Sequence, residues 1–330
     1  MFNEEKHTEQ QTKSSNEKKR DVRIDGKTMD ESAKNDNIIT NLHMSMLCFK
    51  NENGTNECFS NTAVSALLNI PVLRSAIGSF KIENLGNNSI CGELFRLANL
   101  RNYTVASTGK IRAIVKDKCF ENRQWIKNFS NNKQHDSGEF LQSLLEHFWN
   151  EPIMESSLRD EVFGGLSQNI LSCKCGREEE LQVQHIPEVI PLQFKGGSIQ
   201  SCLDDFMAVE DIEWNCPSCI SSIVLRRMVI IAEPQTIILQ LMRNKYDEVR
   251  RRINKIYDEV DCHDKLILPS GSTYSLVSVI NHSGEDTRSG HYNIVLFGDQ
   301  PKLLDDHVIS NYTIEEDIKR LSYIFIYKKD

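Results

Sequence analysis

Three positions far apart in the chain hold side chains able to carry nucleophilic catalysis together: Cys58, His291 and the pair Asp305 and Asp306. A run of turn formers, Asn53 to Asn56, leads straight into Cys58, and Phe59, Ala63, Val64, Leu67 and Leu68 then recur at helical spacing. The spacing predicts that Cys58 sits in the first turn of a buried helix. Unpaired N–H groups and the positive end of the helix dipole favour a thiolate there. Asn56 is a natural cap for that helix. The Asn53 amide could fold back and, with the Cys58 N–H, donate to a developing oxyanion. A cysteine at a helix start also fits a small buried hydrophobe. His291 stands where a polar loop, Asn281 to Gly290, gives way to the strand-like run His291 to Phe297. It suits a general base with Asp305 and Asp306 as partner, and equally a surface or core histidine; two adjacent aspartates also make an ordinary turn.

Two further sets of residues could bind rather than react. Asp136 and Glu139 open a helical stripe of Phe140, Leu141, Leu144, Leu145 and Phe148, three apart and on one face. Acidic residues are favoured in a first helical turn, and two carboxylates so placed could also grip a ligand's arginine. Cys173 with Cys175, and Cys216 with Cys219, form two knuckles about forty residues apart. Four thiolates in that arrangement would close a structural zinc site, although the first pair is one residue tighter than the usual spacing. The remaining cysteines, Cys48, Cys91, Cys119, Cys202 and Cys262, read as packing residues.

The elements that must position these groups follow from pattern. The chain has 330 residues, 39% hydrophobic and 26% charged, with a net charge of −8. That is core enough for one large domain, and its sign argues against general nucleic-acid or anionic-membrane binding while suiting a partner with a basic patch. No apolar run approaches a membrane span. Scattered cysteines and a polar beginning lead to the expectation of a reducing compartment, cytoplasm or nucleus. Residues 1–41 are polar and read as a disordered tail, with Lys18 to Arg20 as a solvated basic cluster. The folded domain should begin near Leu42. Helical patterns dominate from Cys58 to Phe120 and again after Asp136. From about Glu161 short alternating runs take over: 162–170, 180–184, 189–194, 228–232, 236–241, 274–280, 291–297 and 321–327. The fold class expected is α+β.

Taken in order, these stretches resemble the catalytic domain of the ubiquitin-specific proteases, papain-like cysteine hydrolases that remove ubiquitin, over about residues 46–328. The residues that carry the likeness are Asn53 to Leu68 with Cys58-Phe59-x-Asn61, then Gln134-His135-Asp136-x-x-Glu139-Phe140-Leu141, then the two cysteine pairs. Pro234 to Arg243, Tyr274 to Tyr292 with His282-Ser-Gly and Ser-Gly-His291-Tyr292, and Asp305-Asp306-x-Val308 complete it. The resemblance implies a helical thumb at about 47–155, zinc-tipped β fingers within about 160–245, and a β palm from the remainder. It implies Cys58 as nucleophile, His291 as its base, Asp305 as the orienting acid, Asp306 assisting, and Asn53 at the oxyanion. Asp136 and Glu139 would meet the arginine-containing tail of ubiquitin, and Cys173, Cys175, Cys216 and Cys219 would hold zinc. The chain departs from the family pattern at Thr55, where a glycine is usual, and at Ser65, Asn244 and Lys302. None of these removes a reacting group. A ubiquitin-binding protein without activity, and a protease for a ubiquitin-like modifier, are the alternative readings.

Overall fold

The computed structural model describes residues 45–51, 56–81, 86, 88–122, 129, 133–248, 251–286, 289–313 and 316–330. The expected tail, 1–41, and Asn53 lie outside the described residues. In chain order the elements are β1 (Cys48–Phe49), α1 (Cys58–Leu68), α2 (Pro71–Gly78), α3 (Ile90–Ala98), β2 (Val105–Ala106), α4 (Gly109–Glu121), α5 (Ser137–Trp149) and α6 (Ser156–Phe163). Then come β3 (Leu166–Ser172), β4 (Glu178–Glu180), β5 (Gln184–His185), β6 (Val189–Gln193), α7 (Ile199–Met207), β7 (Glu210–Glu213), β8 (Ile223–Ala232) and β9 (Thr236–Met242). The last part holds β10 (Asn244–Asp247), β11 (Arg252–Lys255), β12 (Lys265–Ile267), β13 (Thr273–Asp286), β14 (Ser289–Leu296), β15 (Lys302–Asp305), β16 (Val308–Asn311), α8 (Glu316–Leu321) and β17 (Ser322–Lys329).

Every residue of α1 is buried. A helix surrounded on all sides belongs in the middle of a layer, and its polar residues Ser60, Asn61, Thr62 and Ser65 must then find partners inside the protein. Pro71 starts α2, where its missing N–H costs nothing. The Ser89 hydroxyl accepts from the Gly92 N–H and caps α3, and the Asp136 carboxylate accepts from the Gly138 and Glu139 N–H groups and caps α5.

Helices α1 to α6 pack on one face of an eight-stranded sheet with strand order β16-β15-β14-β13-β17-β9-β6 and β12 on the flank of β13. All its pairings are antiparallel except β6 with β9. Alternate residues of its central strand serve two cores. Ile324 and Ile326 join the helices, while Phe325 and Tyr327 join α7 and the 260–268 segment on the other face. Burial on both faces is why β17 and β9 read as nearly continuous apolar runs. A second, five-stranded sheet, β4-β3-β8-β7 with β5 on β3, carries its own small cluster of Leu171, Cys173, Cys216 and Val224.

Three expectations about the strands need correction. The run 180–184 is strand only at its two ends, which belong to β4 and β5. The first strand does not begin at Val162, which is the penultimate residue of α6; the chain turns at Gly164 and Gly165 and β3 starts at Leu166. A Cβ on Gly164 would lie 2.1 Å from the Asp160 carbonyl oxygen, so glycine is required at that turn. The polar stretch Asn281 to Gly290 is mostly strand rather than loop, because β13 runs on to Asp286. Its polar residues pair across the hairpin, with an irregularity between Ser283 and Asp286. Gly284 (φ +155°) and Gly290 (φ +129°) face each other there, and a Cβ on either would meet the opposite carbonyl oxygen at 2.0 Å.

Candidate active site

Cys58 is the first residue of α1 and is buried. Asn56 is not the cap expected from its type. It takes φ +48°, a left-handed turn that asparagine tolerates, and Glu57 occupies the cap position without a side-chain cap bond. What fixes this corner is a polar network that sequence reasoning missed. Asn61, one turn beyond the cysteine, donates to the Lys50 carbonyl (3.1 Å) and to Asp306 Oδ1 (2.8 Å), and accepts from the Thr108 hydroxyl (2.8 Å). Asn51 donates to Asp306 Oδ2 (2.7 Å) and accepts from the Glu57 N–H (2.9 Å). Asp306, itself in a left-handed turn at φ +51°, thus ties the β15–β16 turn to both flanks of the nucleophile. The Thr62 hydroxyl, bonded to the Cys58 carbonyl and in contact with Ser137, joins α1 to α5.

His291 lies on β14, two residues inside the strand. Its Nε2 is 2.5 Å from Asp305 Oδ1 at the end of β15, and the ring also hydrogen-bonds the Cys58 thiol. With Nε2 taken by the aspartate, Nδ1 is the nitrogen left for sulfur. The Asp305 hydrogen bond, then the Cys58 hydrogen bond, hold the imidazole pKa up at about 10 against the opposing pull of burial. The structure therefore brings Cys58, His291 and Asp305 together in the order thiol, imidazole, carboxylate. That order lets the imidazole exchange a proton with the thiol while the carboxylate holds the far side of the ring.

The hairpin that delivers His291 is held from two sides. On the helical side, the Gln134 carboxamide donates to the Gly290 carbonyl (2.7 Å) and accepts from the Gly290 N–H (2.5 Å). On the other side, His282 stacks on Tyr292 with ring centroids 4.4 Å apart, and its Nε2 meets the Ser289 carbonyl at 3.2 Å. That leaves His282 Nδ1 to accept from Lys255 Nζ at 2.9 Å, while the same ammonium donates to the His282 carbonyl at 2.7 Å. Burial, then the Lys255 charge, pushes His282 down to about 4, so it stays neutral where His291 is charged.

Asp136 and Glu139, paired in the sequence reading, differ in the structure. Asp136 is 4% exposed. Its Oδ1 accepts from the Gly138 and Glu139 N–H groups at 2.7 and 3.0 Å, and its Oδ2 from the Tyr323 hydroxyl at 2.7 Å. Tyr323 in turn accepts from Gln240, which packs so close to Gly138 that a Cβ there would come within 2.5 Å of the amide. Glu139 is half-buried on the first turn of α5.

The four cysteines of the two knuckles converge. Their sulfurs all lie within 4.8 Å of one another, with Cys173 to Cys219 at 3.5 Å and Cys175 to Cys216 at 3.7 Å. Four sulfurs each about 2.3 Å from a tetrahedral zinc ion would stand about 3.8 Å apart, so the donor set and its dimensions fit that metal despite the tight Cys-x-Cys spacing. The Ser221 N–H donates to Cys219 Sγ at 3.4 Å, an outer contact that orients a ligating sulfur.

Comparison with known proteins assigns this arrangement to a family. The family profile described as ubiquitin carboxyl-terminal hydrolase matches residues 49–327. The chain belongs to the ubiquitin carboxyl-terminal hydrolase family. Within that family it is 28% identical over 217 residues to a Schizosaccharomyces pombe protein named probable ubiquitin carboxyl-terminal hydrolase 8, covering 59% of this chain and 45% of that one. It is 22% identical over 312 residues to ubiquitin carboxyl-terminal hydrolase 36 of Drosophila mojavensis, covering 83% of this chain and 26% of the relative. The chain thus spans less than half the length of either relative. Among solved structures, the SAGA DUB module of Ubp8, Sgf11, Sus1 and Sgf73 bound to monoubiquitin matches with a TM-score of 0.69 at 18% identity, over 91% of this chain and 74% of that one. The same module bound to ubiquitin aldehyde matches at 0.66 and 19%, over 84% and 68%. The fold of this hydrolase-family chain is accordingly papain-like, α+β, with a helical thumb, a β palm formed by the large sheet and β fingers formed by the small one.

Proposed function

We propose that the chain is a deubiquitinating thiol hydrolase that cleaves after the C-terminal glycine of ubiquitin. The observation that carries this reading is the alignment of Cys58, His291 and Asp305 within a fold of this family. The Cys58 thiolate attacks the glycine carbonyl, and the tetrahedral oxyanion is met by the N–H groups at the start of α1. Asn53 is the side chain proposed to add a donor there. His291 Nδ1–H protonates the departing amine, which leaves an acyl-enzyme on Cys58. The now neutral imidazole takes a proton from water, and the hydroxide releases ubiquitin and regenerates the thiolate. Asp305 fixes the ring orientation and stabilises its charged form.

Substrate contacts follow from the same surfaces. The half-buried Glu139 is proposed to meet an arginine of the ubiquitin tail, while Asp136, already saturated by internal donors, shapes the turn that presents it. Zinc held by Cys173, Cys175, Cys216 and Cys219 would fix the tip of the fingers and take no part in the chemistry. The net charge of −8 suits a basic partner face. The test is capture by ubiquitin carrying a C-terminal electrophile, with the adduct located by peptide mapping. A single adduct on Cys58 is expected. No adduct on Cys58, or equal labelling of Cys58→Ala, would contradict the proposal, and binding without labelling would point to a ubiquitin-binding protein without activity.

A further inference from the structure

The position immediately before the nucleophile holds a buried acid. Glu57 Oε1 accepts from Arg112 Nη2 at 2.8 Å, and the two side chains are 10% and 3% exposed. A carboxylate beside a thiol that must ionise opposes the ionisation, because two negative charges then share a poorly solvated corner. We propose that Arg112 is a positioning residue for the Cys58 reaction: by pairing with Glu57 it cancels that acid and anchors the first turn of the nucleophile helix. This rests on the hydrolase reading above.

The surrounding geometry supports the role. Arg112 lies one turn beyond Thr108 and so on the same face of α4. From that face Thr108 reaches both Ser60 and Asn61 at 2.8 Å, and Arg112 reaches Glu57, so the start of α4 grips the start of α1 at three successive points. Among the described residues, other charged or titratable groups around Cys58 come from three more elements. β14 supplies His291 and Tyr292, β15 and the turn after it supply Asp305 and Asp306, and the cap of α5 supplies Asp136. Asp305 is bound to His291, Asp306 to two asparagine amides, and Asp136 to helix N–H groups; burial drives the Tyr292 phenol well above its ordinary range, so it is uncharged.

The experiment is the pH dependence of Cys58 alkylation by iodoacetamide, followed by peptide mapping, for the wild type, Arg112→Met, Glu57→Gln and the double variant. The acid limb of kcat/KM on a fluorogenic ubiquitin amide is read in parallel. A charge added or removed within about 10 Å should move the ionisation midpoint by about one pH unit. Arg112→Met is expected to move it up, Glu57→Gln to move it down, and the double variant to return it to within a few tenths of the wild type. A merely structural ion pair would change thermal stability without these opposed shifts. Midpoints that stay put, or that move in the same direction in both single variants, overturn the inference. Should Arg112→Met fail to fold, an unmoved midpoint in Glu57→Gln overturns it alone. A wild type that turns over the amide with unmoved midpoints sinks this inference and leaves the hydrolase reading standing, whereas an inert wild type removes that reading and this inference with it.

Discussion

The corner around Cys58 and the cluster of four cysteines both gather cysteine sulfur, yet they are built in opposite ways. Around Cys58, β1, α4, α5 and the β15–β16 turn converge on a fully buried helix, whose polar residues are met by hydroxyls, backbone carbonyls and the Asp306 carboxylate, with one buried ion pair at its start. At the finger tip the apolar support is a small cluster around Leu171 and Val224, while Ile220, Ile223 and Leu225 are exposed. The first site is held by the core and needs no ligand to exist. The second has too little buried apolar surface to hold four thiols in place, so its order should depend on the metal that its sulfurs fit. On the proposed reading, rigidity at the reacting centre and dependence on metal at the cysteine cluster belong to separate parts of one chain.

The largest effect should come from removing one of the four clustered sulfurs proposed to hold zinc. Cys216→Ser is expected to abolish zinc binding and to cost the finger sheet several kcal/mol of local stability. Hydrogen exchange should rise across β3, β7 and β8 while α1 and α5 keep their protection. Loss of protection in α1 as well would show that the two regions are not independent. Next is Asn61→Ala, which takes one partner each from the Thr108 hydroxyl, the Lys50 carbonyl and Asp306. It should lower global stability by about 2–4 kcal/mol in denaturant unfolding and reduce turnover with it.

Asp305→Asn should spare the fold and change the pH profile. Asp305 holds His291 near 10, so the imidazolium persists well above neutrality. This raised pKa stabilises the folded state fully below the free imidazole value of about 6.5, and the contribution fades as pH rises through about 10. In the asparagine variant the alkaline limb of kcat/KM should move down by more than one pH unit, with a fall of about a hundredfold in rate. An unmoved alkaline limb would show that Asp305 does not set the imidazole charge. The smallest change is expected from Gln134→Ala, which releases the Gly290 peptide before His291. A drop of roughly tenfold in kcat with little change in melting temperature is expected, and an equal loss of both would assign Gln134 to the fold instead.

What could be read from the sequence is what depends on local chemistry. A cysteine after turn formers and before a helical stripe reads as a helix start, paired cysteines read as metal ligands, and β9, β13, β14 and β17 declare themselves through apolar patterning. What could not be read are partnerships across long separations. Asp306 with Asn61, Gln134 with Gly290 and Arg112 with Glu57 join residues 245, 156 and 55 positions apart, and no spacing rule connects them. Short polar strands such as β7, β10 and β15 were missed because pairing, rather than side-chain alternation, makes them strands. Asn56 has the residue type of a cap, whereas its backbone is needed for the turn.

The direct test is hydrolysis of a fluorogenic ubiquitin C-terminal amide by the wild type and by Cys58→Ala at equal folded concentration. Turnover by the wild type that vanishes in the variant is the expected result. Turnover that survives the loss of Cys58, or a folded wild type that binds ubiquitin and releases no fluorophore, would contradict the thiol-hydrolase reading.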